Sequence, residues 1–63
     1  MNYNLATLHA ATGDTLMLPG WQGQFVWNYA NNTLEFRNGD YRLTSKQLEQ
    51  FNLHKRVDWY YII

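Results

Sequence analysis

The segment over residues 24–43 constrains the fold most, because its pattern is typical of three strands joined by two tight turns. Asn38-Gly39 is a strong signal for a two-residue hairpin, since a type I′ turn needs positive φ angles at both central positions. Asn31-Asn32 favours a second tight turn, because asparagine tolerates the left-handed backbone region. The sequence therefore predicts a three-stranded antiparallel meander over this segment.

The predicted turns also fix which residues face each other. The hairpin sets Arg37 opposite Asp40 and Glu35 opposite Arg42, and such opposite-charge pairs each contribute about 0.2–1 kcal/mol. Both registers gather the apolar side chains on one face, and a slip of one residue would invert a strand. The predicted apolar face carries Phe25, Trp27, Tyr29, Leu34, Phe36, Tyr41 and Leu43. The predicted polar face carries Gln24, Val26, Asn28, Thr33, Glu35, Arg37, Asp40 and Arg42.

A short helix is predicted directly after the meander. Thr44 is the expected N-cap, and Gln47 three residues later completes a capping box. Leu43 and Leu48 form the matching hydrophobic staple on either side of the cap. The predicted helix covers residues 45–52 and ends in a left-handed asparagine. About two turns of helix persist only when they pack on another element, here the sheet.

Both ends of the chain are predicted to add strands. Residues 57–63 are rich in aromatic and β-branched side chains, which favours a strand. Their last part is apolar on both faces, which is typical of a central strand or of an edge that another chain covers. Residues 15–18 indicate a short strand. Residues 3–11 fit either its hairpin partner or a helix that Asn4 caps and Gly13 closes, and we favour the hairpin.

These elements predict one α+β domain over residues 1–63. Its sheet is small and mostly antiparallel, with the meander, an N-terminal hairpin and a C-terminal strand, and it either stays open or closes into an SH3-like barrel. A domain of this size buries only about 60% of its unfolded surface, so its stability is marginal. The chain has no cysteine to form a disulfide. Its three Trp, five Tyr and three Phe supply the core instead.

The charge balance argues against several classes of function. Five Lys and Arg balance five Asp and Glu, so the formal net charge is zero. A dedicated nucleic-acid binder normally shows a basic excess, whereas near-zero charge favours association. The sequence shows no signal peptide and no apolar run of about 18 residues that would span a membrane. Together with the missing cysteines, this predicts a cytoplasmic protein.

The titratable side chains do not predict an active site. General acid–base catalysis needs groups that are held together with tuned pKa values. His9 and His54 lie far apart in the sequence, and Asp58 is expected to face solvent or to pair with Arg56 or Lys55. We therefore expect a protein that is not an enzyme, with no catalytic residue, metal site, cofactor or small-molecule substrate.

Protein–protein contact is the leading functional hypothesis. The final residues are apolar on two faces, and an exposed strand of that kind invites pairing with another chain. Trp and Tyr are also enriched at binding hot spots. We expect a small accessory or inhibitor protein that binds a protein partner or a second copy of itself. Small proteins of phages and mobile elements share this compositional profile. The predicted interface residues are Trp59, Tyr60, Ile62, Ile63 and Trp21.

Nucleic-acid binding through the polar face of the meander is the alternative. Some proteins read DNA with strands that lie in a groove. Glu35 and Asp40 are predicted on the same face and would repel phosphate, so this hypothesis ranks second. Its candidate residues are Arg37, Arg42, Lys46, Lys55 and Arg56.

Overall fold

The computed structural model describes residues 1–62. Within that range the chain forms one five-stranded antiparallel sheet and two α-helices. The strands are β1 (Leu16–Met17), β2 (Gln24–Asn28), β3 (Thr33–Asn38), β4 (Tyr41–Leu43) and β5 (Tyr60–Tyr61). The helices are α1 (Tyr3–Ala11) and α2 (Ser45–Gln50), and a 3₁₀ helix covers Leu53–Lys55.

The strands lie in the order β4-β3-β2-β1-β5, so β4 and β5 are the two edges. The sheet is open over residues 1–62. The predicted α+β class with an antiparallel sheet is therefore confirmed, and the SH3-like barrel is not observed in this part of the chain.

Both helices pack on the same face of the sheet. The register places Leu16, Phe25, Phe36 and Leu43 in one row across four strands. The helices bury small or aliphatic side chains against this row, so the domain has two layers and the described residues place no helix on the other face. The buried core consists of Ala6, Ala10, Leu16, Leu18, Phe25, Leu34, Phe36, Leu43, Leu48, Leu53 and Trp59.

The turn between β3 and β4 lies one residue later than predicted. Asn38 pairs with Tyr41, so the central residues are Gly39 and Asp40. Gly39 has a φ of +60°, and Asp40 is not among the residues with positive φ. This is the arrangement of a type II′ turn, which takes glycine at its first central position. The predicted type I′ turn on Asn38-Gly39 is therefore wrong.

The shifted turn changes the charge pairs but not the faces. Arg37 lies opposite Arg42, and Glu35 lies opposite Val26. The predicted pairing of Arg37 with Asp40, and of Glu35 with Arg42, is therefore wrong. The shift moves each partner by two positions, and side chains alternate with a period of two. For this reason the residues predicted to line the core keep their side of the sheet.

The turn between β2 and β3 is longer than the tight turn predicted at Asn31-Asn32. Asn28 pairs with Thr33, which leaves four residues in the loop. The Asn28 side-chain oxygen accepts hydrogen bonds from the backbone N–H groups of Ala30 at 3.0 Å and Asn31 at 3.2 Å. Asparagine often stabilises a turn in this way, and here it adds a loop that the prediction lacked.

Two aromatic residues of the predicted apolar face are exposed instead of buried. Tyr29 lies in this loop, and its hydroxyl donates to the Ala11 carbonyl at 3.3 Å. Tyr41 lies on the edge strand β4, with its ring 6.4 Å from that of Phe36. Tyr29 follows the last residue of β2 and Tyr41 is the first residue of β4, so neither side chain has neighbouring strands on both sides.

Residues 3–11 form a helix, so the favoured hairpin is wrong and the alternative is confirmed. The N-cap is Asn2 and not Asn4, because the Asn2 side-chain oxygen accepts from the Leu5 N–H at 2.9 Å. Gly13 follows the helix with a φ of +104°, as expected for a closing glycine. The alanines that α1 buries favour helix intrinsically and let it approach the sheet closely.

Helix α2 begins as predicted and ends two residues earlier. The backbone N–H of Thr44 donates to the Gln47 side-chain oxygen at 2.8 Å. Leu43 and Leu48 are both buried, which confirms that the staple positions face the core. Asn52 has a φ of +59°, so the predicted left-handed exit is confirmed. It leads directly into the 3₁₀ helix.

The C-terminal strand is shorter than predicted and lies at an edge. Of residues 57–63, only the two residues of β5 join the sheet within the described chain. The short strand predicted over residues 15–18 is confirmed as β1, and β5 pairs with it. Strand β5 is therefore an outer strand of the sheet, not a central one.

Candidate interaction surfaces

The outer edge of the sheet exposes several apolar side chains. Tyr60, Tyr61 and Ile62 are 46%, 40% and 53% exposed, and Val57 nearby is also exposed. Tyr60 pairs with Met17 and therefore points to the helix-free face, whereas Tyr61 points to the face that carries the helices. The edge thus has apolar surface on both of its faces, and the candidate residues Tyr60 and Ile62 lie on it.

Trp59, another interface candidate, lies in the core. Its side chain is 1% exposed. Its ring meets that of Phe25 edge-on at 4.8 Å and lies 5.7 Å from that of Tyr3. Its indole N–H donates to the Leu53 carbonyl at 3.3 Å. Trp59 therefore packs in the core next to β5, and its side chain has almost no exposed surface that a partner could contact.

The backbone of β5 has one residue whose polar groups point outward. Ile62 N–H donates to the Thr15 carbonyl at 3.2 Å, on the β1 side. Trp59 bonds on the opposite side, where its N–H donates to the Met1 carbonyl at 3.2 Å and its carbonyl accepts from the Met1 amine at 2.7 Å. Because an antiparallel strand alternates its bonding side, the N–H and C=O of Tyr61 point away from β1. No residue in the range 1–62 is bonded to them there.

A histidine holds the Tyr61 side chain against α1. The His9 ring stacks on the Tyr61 ring with centroids 4.6 Å apart and planes 18° apart. His9 Nδ1 also lies 2.8 Å from an Asp14 carboxylate oxygen. The contact of His9 with Tyr61 could not be predicted from the sequence, because residues 3–11 were predicted as a strand and the contact of α1 with β5 depends on the strand order.

Trp21, the remaining described candidate, covers one end of the core. Its ring lies 5.8 Å from Phe25, 5.2 Å from Phe36 and 5.5 Å from Phe51. The indole is only partly buried. It covers the aromatic rings beneath it, and part of its own surface stays exposed to solvent. The fifth candidate, Ile63, lies outside the described residues.

The helix-free face of the sheet contains a buried carboxylate. Glu35 is only 4% exposed, although it belongs to the predicted polar face of the meander. Asn28 donates to one carboxylate oxygen at 2.7 Å, and Arg37 Nη2 donates to the other at 3.4 Å. The bond from Asn28, with the charges of Arg37 and Arg42, lowers the pKa of Glu35 in spite of its burial. The carboxylate is thus held ionised within the sheet face.

The basic residues of the nucleic-acid hypothesis do not form one surface. Arg37 and Arg42 lie on the helix-free face, in the same row as Gln24. Lys46 belongs to α2 and Lys55 to the 3₁₀ helix, both in the other layer. A continuous basic stripe, which would follow a nucleic-acid backbone, is therefore not formed by these residues.

The last of these basic residues, Arg56, is paired with Asp58. Arg56 Nε donates to one Asp58 oxygen at 2.8 Å, and Nη2 donates to the other. This pairing lowers the pKa of Asp58 and raises the pKa of Arg56. The expectation that Asp58 pairs with Arg56 is confirmed, and the pair lies at the surface beside the edge strand.

Over residues 1–62 the protein has no surface pocket, and no three of its His, Asp and Glu side chains lie close enough to hold a metal ion. None of the helices described there is long and apolar enough to cross a membrane. Compared with known proteins, the chain matches no family model, no curated protein and no solved structure.

Proposed function

We propose that the protein acts by binding another protein chain at the outer edge of its sheet. In this proposal a strand of the partner adds to β5. The observation that carries it is the outward direction of the Tyr61 N–H and C=O on an exposed, apolar edge. Free edges of this kind are templates for strand addition.

The backbone and the side chains would contribute in different ways. A strand beside β5 gains two backbone hydrogen bonds at Tyr61, and these do not depend on the partner's sequence. The side chains of Tyr60 and Ile62 then contact alternate residues of that strand and select among partners. Because Met1 occupies the edge at Trp59, the added strand is limited to the positions from Tyr60 onward.

The partner is either a second copy or a different protein. The formal net charge is zero, so long-range repulsion does not oppose pairing of two copies. Contact with a different protein fits an accessory or inhibitor role. We place the protein in the cytoplasm, because a small domain without cysteine is more typical of a reducing compartment.

The test compares one substitution at each edge of the sheet. Tyr60→Lys adds a charge to β5, which discourages strand addition, and Tyr41→Lys makes the same chemical change on β4. Sedimentation velocity over a concentration series measures self-association, and affinity capture from a lysate of the source organism measures other partners. We expect wild type and Tyr41→Lys to self-associate or to retain the same partner protein. Tyr60→Lys should neither self-associate nor retain that partner. Thermal unfolding of all three shows whether each is folded.

Two results contradict the proposal. One is a folded Tyr60→Lys protein that associates and retains partners as wild type does. The other is a wild-type protein that stays monomeric at every concentration and retains no protein that Tyr60→Lys lacks.

A further inference from the structure

Two arginines lie side by side on the helix-free face of the sheet. Arg37 on β3 is directly opposite Arg42 on β4. The pair next to the turn, Asn38 with Tyr41, closes a two-residue hairpin and is therefore hydrogen-bonded. Bonded and non-bonded pairs alternate, so the two arginines form a non-bonded pair, with Cα atoms about 4.5 Å apart and side chains at their closest. Their side chains therefore leave the sheet from adjacent positions on the same face.

This arrangement costs folding stability. Like charges directly opposite each other destabilise an antiparallel pair. Glu35 offsets part of the repulsion, but its two oxygens already accept from Asn28 and Arg37. None of the ion pairs among residues 1–62 includes Arg42. One positive charge on this face therefore lacks a carboxylate of its own.

We infer that Arg37 and Arg42 form a binding site for a side-chain carboxylate of an acidic protein segment. A guanidinium presents a planar fork of donors that matches a carboxylate. Arg37 is oriented by Glu35, and Gln24 in the same row can supply an amide donor. The site lies across the sheet from β5, and it does not depend on strand addition there.

The observations favour a protein carboxylate over a nucleic acid. The ionised Glu35 lies beside the arginines and pairs with Arg37, so this face is not strongly basic. Binding to a phosphate backbone grows with the number of phosphates that basic groups neutralise. The candidate lysines lie in the other layer of the domain, so the face suits one carboxylate at a time.

The test is a titration of the ¹⁵N-labelled protein with a short, blocked oligoglutamate peptide, followed at the arginine Nε–Hε signals. A matched oligoglutamine peptide and a mixed-sequence DNA duplex are titrated in parallel, at low salt where charge screening is weak. We expect oligoglutamate alone to shift the Arg37 and Arg42 signals and to saturate them. Arg42→Gln should weaken this binding by about 10-fold or more, because it removes a charge-assisted fork. Lys46→Gln, on α2, should leave it unchanged.

A fold control accompanies the titration. Arg42→Gln relieves repulsion with Arg37, loses attraction to Glu35 and removes no core contact, so it should unfold cooperatively with a midpoint close to that of wild type. The inference is overturned if oligoglutamate does not saturate the signals, or if Lys46→Gln weakens binding as much as Arg42→Gln. Saturation by DNA at lower concentration than by oligoglutamate would also overturn it, and would assign the face to nucleic acid.

Discussion

Asn28 donates a hydrogen bond to Glu35 at 2.7 Å across β2 and β3, and this bond holds a buried carboxylate in its ionised form. The same asparagine accepts two backbone bonds in the turn that follows β2. The Asn28 side chain therefore stabilises both the loop after β2 and the ionised form of Glu35. The acid stability of the domain should depend on this contact.

Glu35→Gln tests that dependence. The folded-state pKa of Glu35 is lowered, so its contribution to stability is fully present above the unfolded pKa of about 4.3. It is lost as the pH falls through the lowered folded-state pKa. We expect Glu35→Gln to cost about 1–3 kcal/mol at neutral pH and to lose less stability than wild type on acidification. Urea unfolding at a series of pH values measures both. Glu49→Gln, an exposed residue on α2, should follow wild type, and identical pH profiles for wild type and Glu35→Gln would contradict this account.

Gly23→Ala should be strongly destabilising. A Cβ at Gly23 would lie 2.5 Å from the Phe36 ring and 2.7 Å from the Arg37 carbonyl oxygen, and the φ of +154° disfavours any other residue. Overpacking of this kind costs about 1–3 kcal/mol, and the backbone strain adds to it. Gly39→Ala is the matched control, since it also has positive φ but open space around it. Chemical denaturation should rank Gly23→Ala clearly below Gly39→Ala, and equal losses would show that the close contact is not the cause.

Gln47→Ala should weaken the start of α2. The substitution leaves the Thr44 N–H without the acceptor that it has at 2.8 Å, and loss of a capping interaction costs about 0.5–2 kcal/mol. The neighbouring substitution Lys46→Ala removes an exposed side chain that makes no capping bond. In thermal unfolding, only Gln47→Ala should have a lower midpoint than wild type. A similar midpoint for both variants would mean that packing of α2, and not its cap, sets its stability.

Trp59→Leu should be the most damaging of these changes. It opens a cavity beside Phe25 and removes the indole donor to Leu53. Truncating a buried aromatic residue to alanine costs about 3–5 kcal/mol of stability. Leucine fills part of the cavity and should recover part of that loss. Trp21→Leu, at a partly buried lid, should cost less. Denaturant midpoints compare the two, and a larger loss for Trp21→Leu would contradict the assignment of Trp59 to the centre of the core.

The faces of the meander could be predicted because they depend on a period of two. The actual registers differ from the predicted ones by two positions, so Phe25, Leu34 and Phe36 still point to the core. The start of α2 at Thr44 could also be predicted, because a capping box and a hydrophobic staple are local sequence signals. Such features need only a few neighbouring residues.

Other features depend on details that the sequence pattern does not resolve. A turn centred on Gly39 and Asp40, not on Asn38 and Gly39, is a shift of one residue, yet it brings Arg37 opposite Arg42. The burial of Glu35, which lies opposite Val26 and accepts from Asn28 on the neighbouring strand, depends on side-chain packing that the alternation of polar and apolar residues does not show. Residues 3–11 were ambiguous because their buried alanines carry little periodic signal, and tertiary packing decides between helix and strand.

The reciprocal bonds between Met1 and Trp59 also bear on how the domain folds. They join residues 58 positions apart, whereas the β2–β3–β4 hairpins close short loops. Local loops close at a smaller entropic cost and form quickly, while distant contacts form late. The meander is therefore expected to form before Met1 and Trp59 meet. Until they meet, the Trp59 N–H and C=O lack the backbone partners that Met1 provides in the folded domain.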